Sequence, residues 1–129
     1  ELYTSIKLKK LDLIRLITPT TNLTRLSKIL KYASGFLYYV AVAGITGQKS
    51  AKINELKKSL KIVKSKTNLP IVIGFGIKNV KQAKEICQIA DGAVIGSAII
   101  KIIEQNLNNS KKILTQISNF IKKLKKGIE

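Results

Sequence analysis

The residue types most suited to chemistry fall in two short glycine-bearing stretches, Ile71-Val72-Ile73-Gly74-Phe75-Gly76-Ile77-Lys78-Asn79 and Ala93-Val94-Ile95-Gly96-Ser97-Ala98. Each begins as a run of β-branched residues, the pattern of a buried strand. Each run then meets glycine just before a helix must start. Asn79 is a suitable N-cap for a helix through Val80, Ala83 and Ile86-Cys87, and Ser97 opens the apolar helical run Ala98 to Ile103. A strand-to-helix turn of this kind points backbone N–H groups outward, glycine lets an anion approach them, and the helix dipole favours negative charge. The chemistry implied is phosphate binding. Glycine at a strand end is also an ordinary turn; two such turns on consecutive units favour the anion site. In a (β/α) barrel the loops after the last two strands often form one.

Other chemistries are poorly supplied. The chain contains no His, which removes the commonest general base and metal ligand, and no metal site is expected. The single Cys87 lies on an apolar helix face, where it reads as a small core residue, and it fits a reducing compartment. Only 7 residues are acidic. Asp12 begins a strand and Asp91 precedes one, the wrong end for a barrel active site. Tyr38 and Tyr39 are adjacent in a strand, so alternation sends one inward and the other outward.

The elements that position these residues follow from the periodicity. Glu1 to Lys10 reads as the end of an amphipathic helix, and Leu11 to Ile17 as a strand closed by Thr18-Pro19-Thr20-Thr21. Arg15 is awkward in a strand buried on both faces; it points to a helix end or to a strand partly open there. Thr21 or Asn22 caps a helix carrying Leu23, Leu26, Ile29 and Leu30, which Ser34-Gly35 stops. A strand over Phe36 to Val42 follows, then a polar loop, Gly44 to Ser50. Leu56, Leu60 and Ile62-Val63 belong to a lysine-rich amphipathic helix. After a break at Asn106 to Asn109, Ser110 caps a last helix with Ile113, Leu114, Ile117, Ile121 and Leu124 on one face.

The order is helix, then strand and helix four times, then a final helix. Strict alternation predicts a parallel sheet with right-handed crossovers. Four strands are half of a barrel whose whole is about 250 residues, and the 129 residues read as a single domain of that kind. An open doubly wound sheet is the alternative, but the Gly-x-Gly-x-x-Gly fingerprint is missing. The absence of Met and the opening inside a helical pattern lead to the expectation of a piece of a longer chain.

The net charge is +17, with 24 Lys and Arg. Phosphate neutralisation on nucleic acid would use such a charge. Lysine outnumbers arginine, aromatics are few, and no RRM, KH or zinc pattern occurs, so solvated helix faces are the better reading and no nucleic-acid partner is expected. No apolar run reaches the roughly 18–20 residues of a spanning helix, and no membrane association is expected.

Four segments, Gly35-Phe36-Leu37-Tyr38-Tyr39-Val40, Gly44-Ile45-Thr46-Gly47, Leu69 to Ile77 and Asp91 to Ile100, resemble the tryptophan synthase alpha chain family, in order and at matching spacing from about Leu11 onward. The resemblance implies the C-terminal half of a TIM (β/α)8 barrel, strands five to eight with their helices. It implies aldol cleavage of indole-3-glycerol phosphate to indole and glyceraldehyde 3-phosphate, in an alpha2-beta2 complex with a beta chain. No cofactor is implied for this chain; pyridoxal phosphate belongs to the beta chain. Gly47, Gly76, Gly96 and Ser97 match the family's phosphate-binding positions. Phe75, Leu16 and Val94 match its indole pocket. Tyr38 and Thr46 match residues that support the catalytic aspartate, with Gly44–Ser50 as a lid. Lys49 stands near a position where arginine is common, and Lys78 where a small hydroxyl residue is common. The catalytic glutamate and aspartate lie on earlier strands, so no catalytic acid or base is assigned here and the segment alone is expected to be inactive. The alternatives are another phosphate-binding (β/α) barrel segment or a non-catalytic phosphate-ligand binding protein. A cytoplasmic bacterial setting, or the stroma of an algal plastid suggested by the Lys/Ile/Asn-rich composition, is the expected location.

Overall fold

The structure, a computed structural model, describes residues 2–41, 49–74 and 76–129, the backbone alone at residues 2 and 49–52. Its elements alternate as the periodicity predicts: α1 (Leu2–Leu8), β1 (Arg15–Ile17), α2 (Leu23–Leu30), β2 (Leu37–Val40), α3 (Lys49–Lys64), β3 (Ile71–Gly74), α4 (Val80–Cys87), β4 (Gly92–Val94), α5 (Ser97–Glu104) and α6 (Ser110–Ile128). The strands form one parallel sheet in the order β1-β2-β3-β4. Each strand pairs with its sequence neighbour, so the order never reverses. Right-handed crossovers taken always in one direction place their helices on one face of the sheet. A doubly wound sheet would reverse direction and cover both faces. This arrangement is a segment of a (β/α) barrel.

Register separates the two faces. Ile17, Tyr39 and Ile73 align across β1 to β3, as do Leu37 and Ile71, and all five are at most 1% exposed. They form the core with Leu26 of α2, Leu56, Leu60 and Val63 of α3, Ala83 and Ile86 of α4, and Leu124 of α6. The other face carries Leu16, Tyr38 and Val72 in one row and Val40, Gly74 and Val94 in the next. No helix among the described residues covers it, and Leu16 stands 61% exposed. In a closed barrel this face looks inward. Helix α6 packs against α4 so closely that a Cβ at Gly127 would overlap the Val80 side chain.

Several boundaries differ from the sequence pattern. The strand expected over Leu11 to Ile17 is confined to Arg15–Ile17, because the Leu13 N–H and carbonyl are taken by the Ser34 hydroxyl and N–H at 2.8 and 3.1 Å. Ser34-Gly35 does not stop α2, which ends at Leu30 with Lys31 as its C-cap. Gly35 instead takes φ +70° in the link to β2, where a Cβ would press on Asp12 and Ile14 at 2.9–3.0 Å. Asn109, not Ser110, caps α6: its Oδ1 accepts the Lys112 N–H at 3.0 Å. The α6 apolar face is narrower than expected, with Leu114 69% exposed. The strand expected to reach Val42 is described only to Val40 and Ala41. Arg15 lies on β1, at one edge of the sheet, and its Nε is buried without a partner among the described residues.

Candidate functional site

The C-terminal ends of the strands gather the glycine turns. After β4, Gly96 is the N-cap of α5 at φ −113°, ψ −66°, and no side chain among the described residues caps that helix. The Gly96 carbonyl accepts the Ile99 and Ile100 N–H groups at 2.9 and 3.1 Å. The N–H groups of Ser97 and Ala98 precede these and belong to the first turn, where a helix has no partner of its own to offer. Gly96 and Ser97 are exposed, and a Cβ at Gly96 would meet nothing within 4 Å among the described residues. The end of α5 is therefore an open cluster of donors reinforced by the helix dipole.

The turn after β3 is built differently. Gly76 adopts φ +77°, a left-handed conformation that side chains resist, and it too has open space around it. Helix α4 is closed by its own side chains: the Asn79 Oδ1 accepts the Gln82 N–H at 3.0 Å, and the Gln82 Oε1 accepts the Lys78 N–H at 2.8 Å. This reciprocal arrangement resembles a capping box. The two turns are thus not equivalent: Asn79 caps α4, while no described side chain caps α5.

Gly74 positions Tyr38, a role the sequence pattern does not reveal. Tyr38 pairs with Val72, and Gly74 lies two residues further along β3 on the same face. A Cβ at Gly74 would fall within the Tyr38 ring and hydroxyl. The missing side chain lets the tyrosine lean along the sheet toward the glycine turns. Only the register puts these two residues together, and no local motif announces it.

Leu16 and Val94 share the bare face with Tyr38, at opposite edges of the sheet. Three strand spacings, about 14 Å, separate them across the sheet, and Val94 lies one row further along the strands. Val94 is half-buried. Thr46, Gly47 and Phe75, and residues 44–48 of the expected lid, lie outside the described residues. Lys49 and Ser50 belong to the first turn of α3.

The acidic residues noted in the sequence sit at the opposite end of the sheet. The Asp91 Oδ2 accepts the Ile71 N–H at 2.8 Å, and Oδ1 pairs with Lys64 Nζ at 3.2 Å. The Ile71 hydrogen bond, helped by Lys64 against partial desolvation, holds the Asp91 carboxyl below the usual aspartate range. Asp12 lies beside Gly35, ahead of β1. Among the described residues no group of three or more His, Cys, Asp or Glu could hold a metal ion, and no helix is long and apolar enough to cross a membrane.

A consecutive parallel sheet, one bare face and glycine turns at the strand C-termini define the class: a half of a (β/α)8 barrel. The sequence profile described as "Tryptophan synthase alpha chain" matches residues 1–129. The tryptophan synthase alpha chain of Petrotoga mobilis is 42% identical over 125 residues, 97% of this chain and 48% of that protein. That of Methanocaldococcus jannaschii is 46% identical over 112 residues, 87% of this chain and 40% of that protein. Among solved structures, tryptophan synthase subunit alpha from Campylobacter jejuni superposes with a TM-score of 0.81 at 37% identity, covering 92% of this chain and 47% of the other. The subunit from Legionella pneumophila gives 0.83 at 30% identity, covering 98% and 46%. The chain belongs to the tryptophan synthase alpha chain family, and it spans about half the length of these relatives.

Proposed function

We propose that residues 1–129 form one partial-barrel domain that supplies the phosphate end of a tryptophan synthase alpha subunit. The observation that carries this reading is the uncapped N-terminus of α5 at Gly96-Ser97, beside the unobstructed Gly76 on the C-terminal rim. There the backbone N–H groups, with Gly47 from the preceding loop, hold the phosphate of indole-3-glycerol phosphate. Phe75, Leu16 and Val94 contribute to the indole pocket on the bare face. Tyr38, steered by Gly74, and Thr46 support a carboxylate of the full-length subunit.

The reaction is a retro-aldol cleavage. A carboxylic acid protonates the indole ring carbon, a carboxylate removes the glycerol hydroxyl proton, and the carbon–carbon bond breaks to give indole and glyceraldehyde 3-phosphate. Both carboxyl groups come from strands outside this segment. The role of the segment is binding, orientation and, through the 44–50 loop, exclusion of water. The alpha reaction uses no cofactor, and the full-length subunit joins a pyridoxal-phosphate beta chain in an alpha2-beta2 assembly in tryptophan biosynthesis, in a bacterial cytoplasm or a plastid stroma. The position of Asp12 and Asp91, away from the rim, supports a binding role without catalysis for the segment by itself.

The test is calorimetric titration of glycerol 3-phosphate into the full-length subunit, with Gly96→Val as the variant. Binding that Gly96→Val abolishes is expected; unchanged affinity would overturn the phosphate assignment. Indole release from indole-3-glycerol phosphate by the 129-residue chain alone would overturn the division of labour.

A further inference from the structure

Charge is distributed unevenly between the two ends of the sheet. The segments that lead from helix to strand, residues 9–14, 31–36, 65–70 and 88–91, hold Lys9, Lys10, Asp12, Lys31, Lys66 and Asp91. The segments that lead from strand to helix, residues 18–22, 41–48, 75–79 and 95–96, hold a single charged residue, Lys78. In a chain with 24 Lys and Arg, a lone lysine at that end calls for a local reason.

The described fold gives the Lys78 side chain no task. It is exposed, and neither of the two ion pairs among the described residues includes it. Its backbone N–H donates to the Gln82 Oε1 at 2.8 Å, a bond open to every residue type except proline. Asn79 caps α4, and the first turn of that helix holds no acidic residue. A lysine next to a helix N-terminus faces the positive end of the dipole, an unfavourable place for a cation. An anion bound there removes the disadvantage.

Gly74 pairs with Val94, so the turns that follow at Gly76 and Gly96 leave neighbouring strands, about 4.8 Å apart. Lys78 is two residues past Gly76, at most about 7 Å of chain, and its flexible four-carbon stem can bring the ammonium back over the turn. We propose that Lys78 is a substrate-binding residue whose ammonium group pairs with the phosphate at Gly76 and Gly96-Ser97, an inference that rests on the phosphate reading of that rim. A phosphate monoester carries about −1.5 to −2 at pH 7, and a helix N-terminus answers with the equivalent of about +0.5. Lys78 supplies the full positive charge that backbone donors lack. It holds substrate and transition state alike, because the phosphate keeps its charge while the carbon–carbon bond breaks.

The experiment measures glycerol 3-phosphate binding to the full-length subunit by calorimetry, at low salt and at about 0.5 M salt, where exposed charges are screened. Lys78→Gln should weaken binding about threefold to tenfold at low salt, and the difference should shrink at high salt. Lys78→Arg should restore the affinity. Lys84→Gln, which removes the same charge from the last turn of α4, should stay within about twofold of the native subunit. With indole-3-glycerol phosphate, Lys78→Gln should raise KM and keep kcat. Its urea midpoint should be no lower than native, since a cation leaves the positive end of a helix. Equal weakening by Lys78→Gln and Lys84→Gln would reduce the effect to general attraction by a chain of charge +17 and overturn the proposal. A loss that salt does not diminish would overturn it too. Unchanged affinity in Lys78→Gln, in a subunit whose binding Gly96→Val abolishes, would overturn it and leave the phosphate reading standing. No glycerol 3-phosphate binding by the native subunit would overturn both.

Discussion

Three glycines near the rim answer to three different demands. Gly96 has an ordinary negative φ and open space, so Gly96→Ala should change stability by less than about 0.5 kcal/mol. The same methyl would stand at the proposed phosphate site, so glycerol 3-phosphate binding to the full-length subunit should fall. Gly76 at φ +77° is the reverse case: alanine there should cost about 1–2 kcal/mol in urea unfolding through backbone strain. Gly74 answers to Tyr38. Gly74→Ala should destabilise by about 1–3 kcal/mol, and much of that cost should vanish in a Tyr38→Ala background, a coupling measurable by a double-mutant cycle. Gly96 and Ser97 are legible in sequence because strand, turn and helix start lie within six consecutive residues. Gly74 is not legible in this way, because its partner is 36 positions away and only strand register joins them.

At the scale of the elements, local chemistry is readable and tertiary competition is not. The caps Asn22 and Asn79 fall where short polar residues precede a helical apolar pattern. The end of α6 misleads by one residue, since Asn109 and Ser110 are both good caps and the structure uses the first. Asn109→Ala should therefore cost about 1 kcal/mol in urea unfolding, and Ser110→Ala only a few tenths. The β1 pattern misleads for a different reason: Leu13 has strand-like neighbours, but Ser34 claims its backbone groups. Asp91 links three elements, accepting from the first residue of β3 and pairing with α3 ahead of β4. Its pKa is depressed on folding, so it contributes stability at neutral pH that is lost as pH falls through the folded pKa, below the ordinary value of 3.8. Denaturation midpoints at pH 7 and pH 3 should differ more for the native chain than for Asp91→Asn. The group is partly solvent-exposed, so the effect should be modest.

The whole molecule presents one covered sheet face, one bare face and two strand edges at β1 and β4. Alternation of strands and helices made the parallel sheet legible, and the count of four strands made the half-barrel legible. Which face each residue takes follows from register, beyond the reach of a pattern of period two on strands of 3 or 4 residues. Unpaired edges and exposed apolar surface favour association. The 129-residue chain on its own should sediment as a mixture of associated species, and a sharp, cooperative melt of a pure monomer would contradict this. The consecutive strand order also bears on how the molecule is made. Among the described residues every strand pairs only with the strands just before and after it, so none of these three pairings waits for a distant partner. A chain leaving the ribosome can add one strand and its helix at a time to a sheet already formed, and each addition closes a short loop.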